Sequence, residues 1–287
     1  MKEESHITHK WYKILLFCFF LILSIFLYAR FIGTSKIIVK EVSVINPKLP
    51  DAFYGYKVVQ LSDIHYKTTI GRKELEEIVK KVNKNKPDIV VISGDLLDSN
   101  VTYTDNDINN IINLLNDIKC ERKYIITGED DKNDTFTKIL DKLEYKLLDN
   151  NYDVIYNEDY EPITIAGLST SSDGPSSKDK LASVEEAIEK NGSNYNILII
   201  HEPAISEEID TNKYSLILAG HTHNGQINIP VIKDFFMPDR ANASYKDFHY
   251  ELGNSDMYVS PGLGTTGMKA RLFNRPTINL YRLTKEN

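Results

Sequence analysis

Two histidines separated by one residue follow a short apolar run in the last third of the chain. The run, Leu216–Ala219, is typical of a buried strand, and Gly220 permits a tight turn where that strand leaves its sheet. Side chains two positions apart in an extended segment project to the same side, so we expect His221 and His223 to point toward one place. Two imidazoles this close predict a metal site. For this pair alone, two solvent-facing loop histidines are the alternative.

Other apolar runs also end at side chains that can bind metals. They are followed by Asp63 and His65, by Asp95, by the acidic residues 129–131, and by His201. Strands alternate with amphipathic helices in the first half of the chain, which predicts an α/β domain with a largely parallel sheet at its start. Ligands of such sheets bind beyond the carboxyl ends of the strands, and these side chains fall there.

The chemistry of these side chains indicates which metals they would bind. Carboxylates mixed with imidazoles suit Mn, Fe or Zn better than Mg or Ca. The set is too large for one ion, and one carboxylate between two groups of ligands suits a dinuclear site. The candidate ligands are Asp63, His65, Asp95, Glu129 with Asp130 and Asp131, His201, His221 and His223.

A strongly apolar run without charges extends from residue 14 to residue 29. With Trp11 and Tyr12 before it, the run approaches the ~20 residues that a membrane span requires. A cleaved signal peptide is the alternative, but residues 27–29 fit poorly because cleavage needs small residues. We therefore expect a tail over residues 1–13, a transmembrane anchor over residues 14–33 and one domain over residues 37–287. Basic residues flank the run equally on both sides, so charge does not set its orientation.

The strand pattern continues through the rest of the chain. Residues 37–39 and 42–44 are expected to form two short strands. Residues 154–156 and 163–166 are expected to belong to a second sheet. Two further strands are expected near the C-terminus, at 257–259 and 277–283, and no internal repeat or second-domain linker is visible.

The charge of the chain argues against some partners. The net charge is −7, from 34 Lys and Arg against 41 Asp and Glu. An acidic body is a poor match for nucleic-acid phosphates, so we expect no nucleic-acid partner, and a nuclease is disfavoured. A small phosphorylated substrate remains possible because bound metal ions would reverse the local field. Of the two cysteines, Cys18 lies in the apolar run and Cys120 stands alone, which predicts no intrachain disulfide.

Taken together, the motifs resemble those of the calcineurin-like metallophosphoesterases. The matching segments, in family order, are Asp63-Ile64-His65, Gly94-Asp95, the triplet 128–130, His201, and Gly220-His221-Thr222-His223. Ser62, His201-Glu202-Pro203, Gly225-Gln226 and residues 259–264 further resemble the membrane-anchored YkuE/YaeI-type branch of phosphodiesterases. The resemblance covers about residues 37 to 283.

The resemblance implies a fold, a metal centre and a reaction. The implied fold is a four-layer αββα sandwich of two mixed sheets. The implied ligands are Asp63, His65 and His223 for the first metal, His201 and His221 for the second, and Asp95 as the bridge. Two such ions would lower the pKa of a bridging water, and the resulting hydroxide would attack phosphorus in line. The expected function is therefore that of a phosphodiesterase or a related phosphoester hydrolase.

The third motif departs from the family pattern of Gly, Asn and His. Glu129 replaces the Asn and would ligate through oxygen, which would hold the metal more tightly but make it a weaker Lewis acid. Asp130 replaces the His that aids the leaving group, and an ordinary Asp, with a pKa of about 3.9, is ionised at neutral pH. We expect retained metal binding with lower or shifted activity. The alternative is a non-catalytic metal-binding domain.

The remaining assignments concern the substrate and its surroundings. Arg271 could bind a substrate phosphate through its guanidinium, or it could be a solvated charge near the sheet edge. Asn224 and Gln226 could donate hydrogen bonds beside the metals or serve the loop turn. An anchor would keep the site near the bilayer, so the expected substrate is a phosphorylated small molecule or a lipid headgroup. The branch resemblance implies a single-pass protein of the cell membrane with an extracytoplasmic domain.

Overall fold

The computed structural model describes residues 2–157, 161–170, 177–229 and 244–285, without the side chains of residues 2–10, 177 and 178. The described strands form two six-stranded sheets. Both sheets contain parallel and antiparallel pairs, so both are mixed.

The first sheet contains both ends of the domain. Its strands are β1 (Ile38–Ile45), β2 (Lys57–Leu61), β3 (Ile89–Ser93), β4 (Arg122–Ile126), β5 (Lys146–Leu147) and β12 (Thr277–Thr284), in the order β1-β12-β2-β3-β4-β5. The strands β2 to β5 are parallel, as the alternation of strands and helices predicted. The expectation of two short strands at 37–39 and 42–44 is wrong. They form one strand because β1 pairs with β12 residue by residue over its whole length.

The second sheet contains β6 (Asn151–Ile155), β7 (Ile163–Gly167), β8 (Tyr195–Ile199), β9 (Leu216–Ala219), β10 (His249–Leu252) and β11 (Ser255–Val259). Their order is β10-β11-β9-β8-β7-β6. The four central strands are parallel, and β6 and β10 are antiparallel edge strands. The segments 154–156 and 163–166 therefore lie in a second sheet, as expected.

Helices cover the outer faces of the two sheets. They are α2 (Arg72–Asn85), α3 (Asp105–Asn116), α4 (Asp134–Leu140) and α5 (Ser177–Asn191). Successive strand side chains point to opposite faces. Val58 and Ile89 therefore pack between the sheets, while Val59 and Val90 pack under α2, α3 and α4. Leu181 and Val184 of α5 pack on the outer face of the second sheet. The predicted αββα sandwich is confirmed.

A buried glutamine holds the ends of the two sheets together. The amide of Gln60, in β2, donates to Ser93 Oγ (2.8 Å) at the end of β3 and to Ala219 O (2.9 Å) at the end of β9. Its own oxygen accepts from the hydroxyl of Tyr281 (2.8 Å) in β12. The carboxyl ends of β2, β3 and β9 therefore meet at one place between the sheets.

The N-terminal segment is a long helix followed by one π-helical turn. The helix α1 covers Lys2–Leu27 and the π turn covers Tyr28–Ile32. The division into a tail over residues 1–13, an anchor over residues 14–33 and a domain over residues 37–287 stays a prediction. Among the described residues, one helix is long and apolar enough to span a membrane, over Trp11–Ile32. At 1.5 Å per residue such a helix is about 33 Å long, enough to cross a hydrocarbon core of about 30 Å.

Candidate metal centre

The loops that carry the predicted ligands have an unusual backbone. Asp63, His65, Asp95, His221 and His223 all have a positive φ, of 50°, 39°, 53°, 66° and 50°. Residues other than glycine adopt this conformation rarely, and such residues cluster at functional sites because the surrounding structure must hold them there. The extended conformation assumed for His221 and His223 is therefore wrong.

Two of the glycines in the motifs are required by close packing. A Cβ on Gly128 would overlap the Asp95 carboxylate, and a Cβ on Gly220 would overlap Ser62 Oγ and crowd Asp63. The motif glycines thus allow the backbone of one loop to lie against the candidate ligands of another. The sequence predicted a tight turn at Gly220. The structure shows that Gly128 and Gly220 also leave the space that the neighbouring carboxylates occupy.

Six of the predicted ligands gather into two neighbouring groups. Asp63, His65 and His223 form one group, and Asp95, His201 and His221 form the other; within each, the ligand atoms lie within 4.8 Å of one another. All six side chains are buried. His221 and His223 therefore point to different groups and not to one place. The left-handed backbone at both residues turns the two imidazoles apart.

The first group is built around two facing imidazoles. His65 Nε2 lies 3.2 Å from His223 Nε2, and the rings are stacked with centroids 5.2 Å apart. Asp63 Oδ1 lies 3.6 Å from His223 Nε2 and accepts a hydrogen bond from the backbone of His221 (2.9 Å). Asp63 Oδ2 is buried and has no hydrogen-bond partner among the described residues. A cation would satisfy this oxygen.

Asp95 lies between the two groups. Its Oδ2 is 3.2 Å from His201 Nε2 and 3.6 Å from His65 Nε2, while its Oδ1 accepts a hydrogen bond from the backbone of Asp130 (3.0 Å). The other nitrogen of His201, Nδ1, is 2.9 Å from the carbonyl of Ser93 at the end of β3. A ring nitrogen held by a backbone carbonyl leaves the opposite nitrogen free to bind a metal.

Burial and the neighbouring charges shift the pKa values of the side chains in this site, often in opposite directions. Burial acts to lower the pKa of His65, but Asp130, Asp95 and Asp63 outweigh it and raise that pKa to about 9. Burial likewise opposes the protonation of His201, yet Asp95 raises its pKa well above the usual value. The pKa of Asp95 is lowered because His201 and His65 outweigh its burial. Burial, then His65 and Arg271, lower the pKa of His223 far below its usual value.

These contacts fit a pair of divalent cations. Carboxylate oxygens and imidazole nitrogens converge in a buried space, and Asp63 Oδ2 has no other partner among the described residues. Metal ligation needs neutral imidazoles and ionised carboxylates, and a cation would favour both states. The identity of the metals, Mn, Fe or Zn, stays a prediction.

The third motif lies at the edge of this centre. Asp130 Oδ2 is 3.4 Å from His65 Nδ1, and its Oδ1 accepts from Ser99 Oγ (2.5 Å). Asp130 also forms a third possible metal-binding group with His65 and Asp95. Glu129 is exposed on the 3₁₀ turn Glu129–Asp131 and belongs to none of the three groups found in the described part of the chain. Its ligation of a metal stays a prediction without support from these contacts.

Asp131, a candidate ligand by position, contacts the backbone instead. One oxygen accepts from Leu97 N (3.0 Å) and the other from Gly128 N (3.1 Å) and Leu96 N (3.3 Å). Burial and the nearby Asp95 raise its pKa to about 7, although these three donors favour the ionised form. Asp131 therefore fastens the loop after β3 to the loop after β4, and so positions Asp95.

Arg271 is fully buried, so the alternative of a solvated charge is wrong. Its guanidinium donates to the carbonyls of Pro261 (2.8 Å, from Nη1) and Gly264 (3.0 Å, from Nε), and its Nη2 lies 3.3 Å from His223 Nδ1. Contact with a substrate phosphate stays a prediction. The observed contacts favour a positioning role, in which Arg271 fixes the ring of His223.

Two side chains that support the centre, Asn274 and Gln60, were not distinguished by sequence, whereas Gln226 was. Asn274 donates to the carbonyls of His223 and Gly225, the latter at 3.1 Å, and so closes the loop that carries both residues. Gln226 donates to Thr266 O (2.7 Å), which supports a role in the loop. Neither Asn274 nor Gln60 belongs to a motif, and the contacts of both cross long stretches of chain. No local signal could have revealed them.

Two packed mixed sheets, with imidazoles and carboxylates gathered at their strand ends, define an α/β protein of the metallophosphoesterase class. The chain belongs to the calcineurin-like phosphoesterase family, whose model matches residues 56–225. It is 28% identical over 266 residues to the uncharacterized metallophosphoesterase YkuE of Bacillus subtilis (strain 168), covering 91% of this chain and 90% of YkuE. The expected family is confirmed.

Other relatives are longer than this chain. The uncharacterized metallophosphoesterase Cj0846 of Campylobacter jejuni is 30% identical over 271 residues, which cover 92% of this chain and 68% of Cj0846. A transmembrane protein with metallophosphoesterase domain of Danio rerio is 29% identical, over 84% of this chain and 56% of that protein. Together with the apolar helix, such relatives suggest membrane association.

Solved structures support the fold. NAD nucleotidase (NadN) of Haemophilus influenzae aligns with a TM-score of 0.53 at 17% identity, over 72% of this chain and 45% of that one. The sulfate thiohydrolase SoxB of Thermus thermophilus aligns with a TM-score of 0.50 at 12% identity, over 82% of this chain and 57% of that one. At these identities the likeness shows the fold alone.

Proposed function

We propose that this chain is a membrane-anchored phosphodiesterase that depends on two divalent ions of Mn, Fe or Zn. The position of Asp95 carries this proposal. Its Oδ2 lies within 3.2 Å of His201 Nε2 in one group and 3.6 Å of His65 Nε2 in the other. A carboxylate shared between two sets of ligands is what a dinuclear hydrolase needs to hold two ions side by side.

Each ligand has a proposed role in this centre. Asp63, His65 and His223 would hold one ion, His201 and His221 the other, and Asp95 both. The ions would supply Lewis acidity and lower the pKa of a water between them. The protein would contribute a rigid frame of buried ligands, in which Ser93 O orients His201 and Arg271 orients His223.

Proton transfer to the leaving group is the step that this chain supports least. His65 and Ser99 outweigh the burial of Asp130 and lower its pKa, so it is ionised at neutral pH. An ionised Asp130 cannot donate a proton, and it would repel a phosphate that approaches it. We therefore expect a preference for esters whose leaving groups are stable without protonation.

The same residues favour a second candidate function. Glu129 is exposed, and Asp130 contacts His65 where the family has a leaving-group histidine. A weakly active or non-catalytic metal-binding domain would retain the buried ligands and lack such a group. This alternative predicts bound metal without turnover.

The proposed substrate is a phosphorylated small molecule or a lipid headgroup, and no nucleic-acid partner is expected. The nucleotidase named among the structural neighbours supports only the general class of phosphoester. The apolar helix supports a single-pass protein of the cell membrane. An extracytoplasmic domain is proposed from the resemblance to the anchored branch.

The test is hydrolysis by the full chain in detergent, with Mn, Fe, Zn or no metal. Bis-p-nitrophenyl phosphate probes a diester and p-nitrophenyl phosphate a monoester. Asp95→Asn should abolish metal-dependent turnover, whereas Asp141→Asn, at an exposed position after α4, should leave it unchanged.

Three outcomes separate the hypotheses. Metal-dependent turnover that prefers the diester supports the phosphodiesterase. Two bound metals per chain without turnover on either ester support the metal-binding domain. A wild-type protein that binds no metal contradicts both.

A further inference from the structure

The loop of residues 266–275 lies against the end of the apolar N-terminal span. Arg271 N donates to Ala29 O (3.0 Å), and the backbone of Gly33 lies so close to Arg271 O that a Cβ there would overlap it. Ala29 also forms a buried cluster with Ala270 and Leu272. The apolar span ends at Ile32. Three residues of helical rise therefore place the Ala29 contact about 4–5 Å inside the span.

This position has a simple consequence for the loop. If residues 11–32 cross a bilayer, a loop hydrogen-bonded to residue 29 must lie at the level of the membrane surface. The loop cannot be separated from the membrane by water, as a domain on a flexible linker would be. A cleft of 310 Å³ opens beside this contact and is lined by Tyr28, Gly33 and Phe273, among others.

Large apolar side chains are exposed around the same contact. Phe273 is 75% exposed and Met268 is 53% exposed, and both belong to the loop. Phe31 and Ile32, at the end of the span, are 62% and 54% exposed. We call these four side chains the apolar rim. They form one region because the backbone contacts of Ala29 and Gly33 join the two segments.

Phe273 has an unusual backbone as well as an exposed ring. Its φ is 56°, a conformation that bulky side chains rarely adopt and that is strained. Within the described chain the ring gains little from packing, since most of its surface is exposed. The fold therefore maintains a strained backbone at a position where the aromatic side chain is exposed. Aromatic rings are enriched where membranes meet water, because they tolerate the boundary between lipid and headgroup.

The charge around the apolar rim has one sign. Residues 28–36 and 266–277 contain no Asp or Glu, in a chain whose net charge is −7. They contain five basic residues, of which Arg271 is buried against the metal centre. Lys36, Lys269 and Arg275 are exposed, and Arg30 is half-buried. Basic side chains next to a membrane span are attracted to anionic lipid headgroups. Exposed apolar groups with basic neighbours are the composition of segments that lie in a membrane interface.

We propose that the apolar rim is a second membrane contact, in which the loop 266–275 lies in the headgroup region of an anionic bilayer beside the anchor. The partner is the lipid surface itself, and the contact continues the span that already enters it. The contact would fix the orientation of the domain on the membrane, which a single helix alone would leave free to tilt.

The orientation brings the candidate metal centre close to the lipid. β12 runs antiparallel to β2, with Asn279 opposite Gln60, so β12 begins beside the carboxyl end of β2. β1 is parallel to β12 and therefore begins at the same end of the first sheet. Asp63 and His65 follow the end of β2, so the candidate metal centre lies at the end of the sheet that the anchor enters. Arg271, whose backbone touches the span, contacts His223 through its side chain. If the proposed function holds, phosphate esters at the lipid surface would be nearest to the metals.

A depth measurement on the full chain tests this contact without using activity. Cys18 and Cys120 are replaced by Ala, and Phe273→Cys is labelled with the fluorophore NBD in nanodiscs of phosphatidylcholine and phosphatidylglycerol. Lipids that carry a doxyl group on the upper acyl chain then quench the labels that lie near them. The matched control is Tyr54→Cys, an aromatic position that is 59% exposed. It lies by the far end of β12, where Gly55 N donates to Leu283 O (2.8 Å).

The proposal predicts several-fold stronger quenching at residue 273 than at residue 54. Met268→Cys provides a second label on the rim and should also be quenched, so that misfolding of one variant does not decide the result. Equal and weak quenching at residues 268, 273 and 54 would overturn the proposal. Blue-shifted emission at residue 273 without quenching by doxyl lipid would also overturn it, since it would indicate a protein partner in place of the bilayer.

Discussion

His65 Nε2 and His223 Nε2 face each other at 3.2 Å, although the two residues are 158 positions apart in the chain. Their rings are stacked and buried, and both backbones are left-handed. Carboxylates raise the pKa of His65, whereas burial and the neighbouring positive charges of His65 and Arg271 lower that of His223. These opposite shifts favour a protonated His65 beside a neutral His223. A cation would take the place of that proton.

Metal affinity should therefore rise with pH. His65, with a pKa of about 9 in the metal-free protein, holds a proton at neutral pH that a metal must displace. Affinity should increase about tenfold per pH unit for each displaced proton, up to the pKa of the group. The folding stability of the metal-free protein depends on pH in the opposite direction, because the His65 contribution falls as pH rises. The contribution of His65 in the metal-free protein is fully present below its unfolded pKa of about 6.5 and is lost as pH rises through about 9.

Isothermal titration calorimetry with Mn or Zn measures this directly, between neutral pH and pH 9. Buffers with different ionisation enthalpies count the protons released on binding. His249→Gln, at an exposed histidine outside the centre, is the matched control and should change neither result. An affinity that does not change with pH would contradict protonation of His65.

Asp131→Ala should destabilise the domain strongly. The substitution leaves three backbone donors, of Leu96, Leu97 and Gly128, without the carboxylate that they share. Each unsatisfied buried donor costs about 1–3 kcal/mol, so we expect a loss of at least about 3 kcal/mol. In a domain of this size that corresponds to a fall in Tm of roughly 6–12 °C.

Thermal unfolding of the metal-free protein checks this prediction. Asp141→Ala, at an exposed position after α4, removes a carboxylate without buried partners and should leave Tm nearly unchanged. Equal shifts for the two variants would show that Asp131 does not hold the two loops together.

Arg271→Lys should weaken metal binding more than substrate binding. Lysine keeps the charge but cannot reproduce the fork that contacts Pro261, Gly264 and His223. Groups that orient metal-bound histidines typically affect metal affinity about 10–100-fold when they are lost. We expect a fall of that order in the affinity for one of the two ions.

Metal titration of Arg271→Lys is compared with that of Arg282→Lys, a control at a half-buried arginine outside the centre that pairs with Glu41. If metal affinity is unchanged while KM for bis-p-nitrophenyl phosphate rises, the predicted contact with a substrate phosphate gains support. The positioning role would then be wrong.

Restoring the family residues in the third motif should raise turnover. Glu129→Asn with Asp130→His removes the carboxylate beside His65 and supplies a group that can protonate a leaving alcohol. General acid catalysis typically contributes about 10²–10⁴-fold, so an increase in kcat of at least about tenfold is expected. The increase should be larger for alkyl esters than for nitrophenyl esters, whose leaving group needs no proton.

Steady-state kinetics of the double variant measure this effect. Asp134→His, in the first turn of α4, is the control. A natural protein with almost no turnover and an active double variant would support the metal-binding alternative. Turnover that falls on restoration would show that Asp130 takes part in the reaction as it stands.

Local patterns were sufficient to predict the class of fold and to select six side chains that gather in the structure. Metal ligation by these side chains, and by Glu129 outside the groups found in the described residues, stays a prediction. Apolar runs that end at Asp63, Asp95 and His201 indicate strands whose carboxyl ends meet. The division of His221 and His223 between two groups matches what the family resemblance implied, but it could not be predicted from the spacing of the two residues. It depends on a left-handed backbone at non-glycine residues, which no spacing rule supplies.

Long-range contacts account for the other differences. The role of Asp131 depends on donors 34 and 35 positions away, and the burial of Arg271 on packing of its loop against the anchor and the centre. The exposure of Glu129 follows from the 3₁₀ turn that Glu129–Asp131 adopts. Such contacts become visible only when distant segments are brought together.

The most direct test of the account is the number and coupling of bound ions. The full chain is loaded with Mn, the metal content is measured by mass spectrometry, and the electron paramagnetic resonance spectrum is recorded. Two ions per chain with an exchange-coupled spectrum are predicted, and Asp95→Asn should lose the coupling. One isolated ion per chain, or none, would contradict a dinuclear centre built around Asp95.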